Sequence, residues 1–246
     1  MKARRFPIHR AAGALLAVSV GSMSTALAQT ESPHSFSANV ALTTNYLFRG
    51  ISQTNNGPAI QGGFDYEYSP YSLYAGLWGS NVDSEGFDGA SLELDVYAGW
   101  APSWKGIDFD LGYLLYWYPK TGTDANNTSE WHIGLGYDVM GYFTPSYTAY
   151  YSDDFFGLSG AWYHDFAVEV PLPYDLTLYG HYGLTRYDNS PNNGGGESYD
   201  DYKVGVSTEY YGFGFDLAWV DRNHTEDCGA PFQCGNTAVF TVSKSF

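Results

Sequence analysis

The chain has 246 residues, with 27 acids against 11 Lys and Arg, a formal charge of −16 and an aromatic share of 18% that comes mostly from 23 tyrosines. That sign disfavours nucleic acid as a partner. Beyond the first 28 residues no apolar run approaches the length of a membrane-spanning helix, so any membrane crossing has to be made by strands.

The N-terminus reads as an address. Lys2, Arg4, Arg5 and Arg10 form a basic region, Ala11 to Val20 an apolar one, and Ala26-Leu27-Ala28 a small-residue cleavage site. Residues 1–28 are therefore expected to be a cleaved signal peptide, 29–35 a flexible lead-in, and 36–246 the domain. Without the leader, seven Lys and Arg remain and the net charge is about −20.

From Phe36 to Phe48 the even positions are mostly apolar and the odd ones small or polar, the period of a strand with two unlike faces. A loop from Gly50 to Gly57 precedes a second strand, Pro58 to Tyr68, with Ile60, Phe64 and Tyr66 opposed to Gln61, Asp65 and Glu67. The third strand runs from Tyr71 to Gly79, and the fourth, Ala90 to Trp100, sets Leu92, Leu94, Val96 and Ala98 against Glu93 and Asp95. The fifth opposes Ile107 to Trp117 at odd positions to Asp108, Asp110 and Tyr116; the sixth opposes Trp131, Ile133, Leu135 and Tyr137 to Glu130, His132 and Asp138. Pro145 in the seventh, Phe143 to Ser152, suggests a bulge or a late start. The eighth spans Phe156 to Phe166 with Asp165 on its polar side, and the ninth Leu176 to Leu184. The tenth, Asp201 to Tyr210, carries Lys203 and Glu209; the eleventh, Phe213 to Trp219, carries Asp216; the twelfth ends at Phe246.

The connections alternate. Ser80 to Gly89, Pro119 to Thr128, Tyr187 to Ser198 and Asp221 to Asn236 are long and polar, whereas Ser69-Pro70, Ala101 to Gly106, Met140 to Tyr142, Glu169 to Tyr174 and Tyr211-Gly212 are short. The connection around Asp153 and Asp154 departs from this by being short. Together these features predict an all-β, transmembrane, antiparallel up-and-down β-barrel of about 12 strands. A soluble barrel or sandwich with its apolar face inward is the rival. Apolar-face aromatics fall at strand ends: Phe36, Tyr68, Tyr71, Trp100, Phe166, Tyr210, Phe213 and Phe246 on the short-turn side, and Phe48, Trp117, Trp131, Tyr151, Phe156, Tyr202 and Trp219 on the other. Two aromatic girdles around an aliphatic band are what a bilayer selects.

The runs SANVALTTNYLFRGISQ (Ser37 to Gln53), PAIQGGFDY (Pro58 to Tyr66), LWGSNV (Leu77 to Val82) and ELDVYAG (Glu93 to Gly99) resemble the TorF family of proteobacterial porins. The resemblance covers the first hundred mature residues most closely. It implies the outer membrane of a Gram-negative bacterium, with lipid and lipopolysaccharide around the barrel, and a pore; it brings no substrate.

The inward parity holds Asp65, Glu67, Glu93, Asp95, Asp108, Asp110, Glu130, Asp138, Asp165, Asp201, Glu209 and Asp216 against Arg49 and Lys203, with His132 and His181 titratable. Carboxylates lining a narrow lumen enrich cations, so passive diffusion of small hydrophilic, preferably cationic solutes is expected. Asp65, Glu67, Asp108, Asp110, Asp138, Asp165 and Glu209 fall towards the short-turn ends as an acidic vestibule. The alternative is a structural or adhesive barrel whose carboxylates are solvated or paired and whose lumen is closed. Inward Tyr74, Trp78, Tyr97, Tyr116, Tyr150, Tyr163 and Tyr179 either fill that lumen or stack on a ring-bearing solute.

No nucleotide loop, zinc-protease motif or Cys-x-x-Cys pair is present, and His164-Asp165 lacks a serine placed to complete a nucleophilic set. Neither enzymatic activity, cofactor nor metal is expected, and spacing does not imply that His132 and His181 meet. Cys228 and Cys234, both in the last long loop, are expected to form a disulfide in an exported chain. Asn189 to Gly196 reads as a mobile loop tip that could gate a pore by folding inward.

Overall fold

The computed structural model describes residues 32–122 and 126–246. The expected signal peptide, and residues 29–31 of the expected lead-in, lie outside the described residues.

Twelve strands of the described chain form the wall: β1 (His34–Thr43), β4 (Ala59–Tyr68), β5 (Leu73–Asn81), β6 (Leu92–Trp100), β8 (Ile107–Trp117), β9 (Thr128–Tyr137), β10 (Thr144–Ser152), β11 (Ala161–Leu172), β12 (Leu176–Tyr187), β13 (Tyr199–Tyr210), β14 (Phe213–Arg222) and β15 (Thr237–Ser245). Three two-residue strands are additional: β2 (Leu47–Phe48) and β3 (Ile51–Ser52) pair with each other inside the first long loop, and β7 (Ser103–Trp104) is a stub on β8. Every wall strand pairs antiparallel with its neighbours in sequence. β15 pairs with β1, Asn39 opposite Ser245 through Thr43 opposite Thr241, and so closes the cylinder. Closure gives each strand a partner on both sides and leaves no edge, as a bilayer without water to hydrogen-bond requires.

The two faces of the wall decide between the rival architectures. Leu42, Ile60, Leu77 and Ile133 on the outside are all more than half exposed, whereas Glu93, Asp95 and Glu130 on the inside are at most 1% exposed. A soluble barrel would have the opposite arrangement. The outer band is rimmed by Trp100, Tyr210 and Phe246 at the short-turn end and by Trp117, Trp131 and Trp219 at the long-loop end. This is the surface of a membrane-spanning barrel.

Several boundaries differ from the sequence expectation. His34 and Ser35 belong to β1, opposite Tyr68 and Glu67. β1 stops at Thr43 and not at Phe48, because Asn45 draws the chain inward: its Oδ1 accepts from Ser52 Oγ at 2.7 Å and Thr54 Oγ1 at 3.2 Å, and its Nδ2 donates to Asn56 Oδ1 at 2.8 Å. Such local side-chain bonds compete with the ladder. Phe48 and Phe156 are therefore not girdle residues; they pack on the buried Tyr116 and Tyr118 inside the barrel. β11 begins at Ala161, so residues 153–160 form a full loop and the connection thought to be short is not. Asp165 consequently sits in the upper middle of β11, towards the long loops and away from the short-turn vestibule. Pro145 lies in β10 where only β11 pairs with it, before pairing to β9 begins at Ser146, so its missing N–H removes no bond there.

Candidate functional site

The lumen wall is built from a recurring unit. An inward tyrosine lies over a glycine of the adjacent strand and its hydroxyl donates to a carboxylate on the strand beyond. Tyr97 of β6 lies over Gly76 of β5 and bonds Asp65 of β4 at 2.5 Å; Tyr74 of β5 lies over Gly99 of β6 and bonds Asp110 of β8 at 2.8 Å. Tyr179 of β12 lies over Gly205 and bonds Asp216 at 2.6 Å; Tyr163 of β11 lies over Gly183 and reaches Asp201 at 3.3 Å. A Cβ on any of the four glycines would collide with the ring. Glycine is thus what lets the aromatics lie flat against the wall.

The first long loop enters this lumen. β2 and β3 form a hairpin whose two turn residues, Arg49 and Gly50, both have positive φ (48° and 77°), as a type I′ turn requires. The tip carries Arg49 to Glu130 on β9, where Nη2 donates to both carboxylate oxygens at 2.8 Å; the two side chains are 6% and 1% exposed. Tyr116 donates to the same carboxylate at 2.9 Å. The guanidinium lies 4.0 Å from the ring centre of Tyr163, with Phe48, Tyr150 and Phe155 at 4.7–5.3 Å. On the other side Gly50 packs against the Cβ atoms of Asp201 and Arg222, so the hairpin crosses from β9 to β13 and β14.

Other loops hold it there. Ser52 N donates to Gln233 O at 2.7 Å in the last long loop, and Asp83 N donates to Gln53 O at 2.8 Å. The last loop carries the Cys228–Cys234 disulfide, and its Phe232 meets Phe87, which stacks on Tyr118 at 4.4 Å. Tyr46 of the first loop donates to Glu93 at 3.1 Å. Burial pushes the Tyr46 and Tyr118 hydroxyls well above the ordinary phenol range, so both stay protonated donors.

Two further sets of titratable groups face the lumen. Asp110 Oδ2 lies 3.3 Å from His132 Nε2. His181 bridges Asp165 at 2.9 Å and Asp201 at 3.3 Å. His132 and His181 stand three strands apart with separate carboxylates, and among the described residues no group of three or more His, Cys, Asp or Glu has a metal-holding arrangement. Between the hairpin and the β12 to β15 wall lies a cavity of about 70 Å3 lined in part by Arg49, His181, Asp201, Lys203 and Asp216. It has room for a few waters.

The remaining expected pore residues sit as follows. Glu93 and Asp95 are buried beneath the first loop, and neither oxygen of Asp95 has a hydrogen-bond partner among the described residues. Glu67 and Glu209 stand near the short-turn rim, where Asp108 bonds Ser103. Asp138 is not part of the lumen wall: it follows β9 and accepts from Gly141 N at 2.5 Å, a turn role. His164 and Asp165 point to opposite sides of the wall, His164 outward to Tyr147 Oη at 2.8 Å and Asp165 inward to His181. Sequence reasoning missed Arg222, buried under Tyr199 at 3.8 Å, because that position was assigned to a loop. It also missed the hairpin, which Leu-Phe-Arg-Gly-Ile-Ser signals as two short strands around an X-Gly turn.

The fold is that of known porins, at sequence identities that speak to fold alone. A NanC porin structure matches with a TM-score of 0.58 at 7% identity, over 85% of this chain and 98% of that one. A KdgM porin matches at 0.56 and 8%, over 85% and 98%, and KdgM in complex with disordered oligogalacturonate at 0.54 and 7%, over 86% and 97%. No curated protein sequence matches. The model of the Gcw_chp family, described as a bacterial protein of unknown function, matches residues 27–246, and the chain belongs to that family.

Proposed function

We propose that the barrel is an outer-membrane, non-catalytic pore for passive diffusion of small hydrophilic solutes, with a cation preference set by its lumen. The observation that carries this reading is the acidic lining of the inward face, where Asp65, Asp110, Glu130, Asp165, Asp201 and Asp216 outnumber Arg49, Lys203 and Arg222. In a narrow low-dielectric lumen that surplus enriches cations and repels anions. The likeness to NanC and KdgM, and the TorF resemblance, support the transport class. KdgM has been solved with oligogalacturonate, a polyanion; the acidic wall favours solutes of the other sign here. The girdled outer band would face the lipid leaflet and lipopolysaccharide of the outer membrane.

The test is single-channel recording of the refolded chain in planar bilayers under a salt gradient. Stable steps with a cation-selective reversal potential, weakened when Asp108 and Asp110 are both changed to Asn, are expected. An anion-selective reversal potential would overturn the charge argument and keep the pore. The hairpin lodged in the lumen favours one other reading, a closed structural or adhesive barrel, which a folded but silent chain would establish.

A further inference from the structure

The Arg49 pocket has the components by which proteins bind a free guanidinium. A carboxylate, Glu130, takes two bonds from one nitrogen at 2.8 Å, and Tyr116 holds that carboxylate from behind at 2.9 Å. Tyr163 offers its ring face 4.0 Å from the cation and Tyr150 a second at 5.3 Å. The carboxylate supplies the charge, and a ring face 4.0 Å from the cation centre favours, over a spherical cation, an organic one that can stack flat on a ring. The wall residues Tyr116, Glu130, Tyr150 and Tyr163 belong to four strands, and the cation alone comes from a loop.

A second observation points the same way. Asp95, fully buried on β6 opposite Tyr116 of β8, has both oxygens without a partner among the described residues, and the Nε1 of Trp78, its register partner on β5, also lacks one. Beside the pocket there are therefore buried polar atoms that Arg49 does not satisfy.

We propose that this pocket is a binding site for organic cations of the guanidinium class, and that the first-loop hairpin occupies it as the protein's own ligand. A solute of that class competes with Arg49 for Glu130 and releases the hairpin from the lumen. The inference deepens the pore reading by naming a solute class, yet its tests read no conductance, so a silent barrel and an empty pocket are separate results.

The experiment is calorimetric titration of folded, detergent-solubilised protein with methylguanidinium chloride, against sodium chloride at equal ionic strength. Arg49→Ala vacates the pocket and is expected to bind methylguanidinium one to one. Arg49→Ala combined with Glu130→Gln should bind about tenfold more weakly or worse, the loss of a charged hydrogen-bond pair. Wild type should also bind more weakly than Arg49→Ala. Equal, weak heats from all three proteins would overturn the proposal and leave Arg49 as a structural staple. A second measurement uses the wild type alone: chymotrypsin cleavage after Phe48 should accelerate in millimolar methylguanidinium and not in sodium chloride. An unchanged cleavage rate would equally overturn it.

Discussion

Replacing Arg49 with Ala should unlatch the first loop. The change leaves the Glu130 carboxylate 1% exposed with the Tyr116 hydroxyl as its remaining hydrogen-bond donor among the described residues, since both 2.8 Å bonds from the guanidinium go. Breaking a buried pair from one side costs about 3–5 kcal/mol. The backbone bonds that tie the loop to its neighbours, Ser52 to Gln233 and Asp83 to Gln53, contribute about 0.5–1.5 kcal/mol each and so cannot compensate. At about 1.4 kcal/mol per decade, the ratio of docked to released hairpin falls a hundredfold or more. Hydrogen exchange reads this directly at Gln53 N, which bonds Tyr46 O at 2.7 Å, and at Ser52 N. Larger conductance steps should accompany the lost protection. Wild-type protection at both amides in Arg49→Ala, within a factor of about two, would refute the latch, because a loop held elsewhere would not need the ion pair. A cycle with Glu130→Gln separates the pair from the rings: if the pair dominates, the double variant costs clearly less than the sum of the two single ones.

Three further outcomes follow from the wall. Ile133→Arg, on the lipid face midway along β9, should destabilise the barrel in liposomes by about 2–4 kcal/mol in a denaturant titration, and a cost near zero would contradict the membrane-facing band. Gly205→Ala forces the Tyr179 ring off the wall and should cost about 1–3 kcal/mol by overpacking, whereas Gly136→Ala, whose nearest contact would be Ser146 Cβ at 4.0 Å, should stay within about 0.5 kcal/mol in the same assay. Tyr97→Phe removes the bond to Asp65 while keeping the ring over Gly76; it should lower stability by about 1–2 kcal/mol without changing the strand content seen by circular dichroism.

The alternation in β6, Leu-Glu-Leu-Asp-Val, allowed only two arrangements, and the lengths of the connections indicated an up-and-down barrel with its long loops at one end. A side-chain period of two is a local property of extended backbone, so strand positions and their two faces were legible without tertiary information. Ser69-Pro70 and Tyr211-Gly212 announced tight turns for the same reason.

What closure alone decided is which residues meet across the lumen. Arg49 and Glu130 are 81 positions apart, and the hairpin that joins them reads as the end of β1 until Asn45, Ser52 and Thr54 are seen to bond one another. Asp165 looked like a rim residue until the pairing of β11 as far as Leu172 with Leu176 extended the strand past it, and its bond to His181 set it on the inner wall. The sequence by itself determined twelve two-faced strands, an acidic inner face and an apolar outer one. The curved wall decided that the inner face is crossed by its own first loop, because contacts across a cylinder depend on register and strand order, which no local pattern encodes.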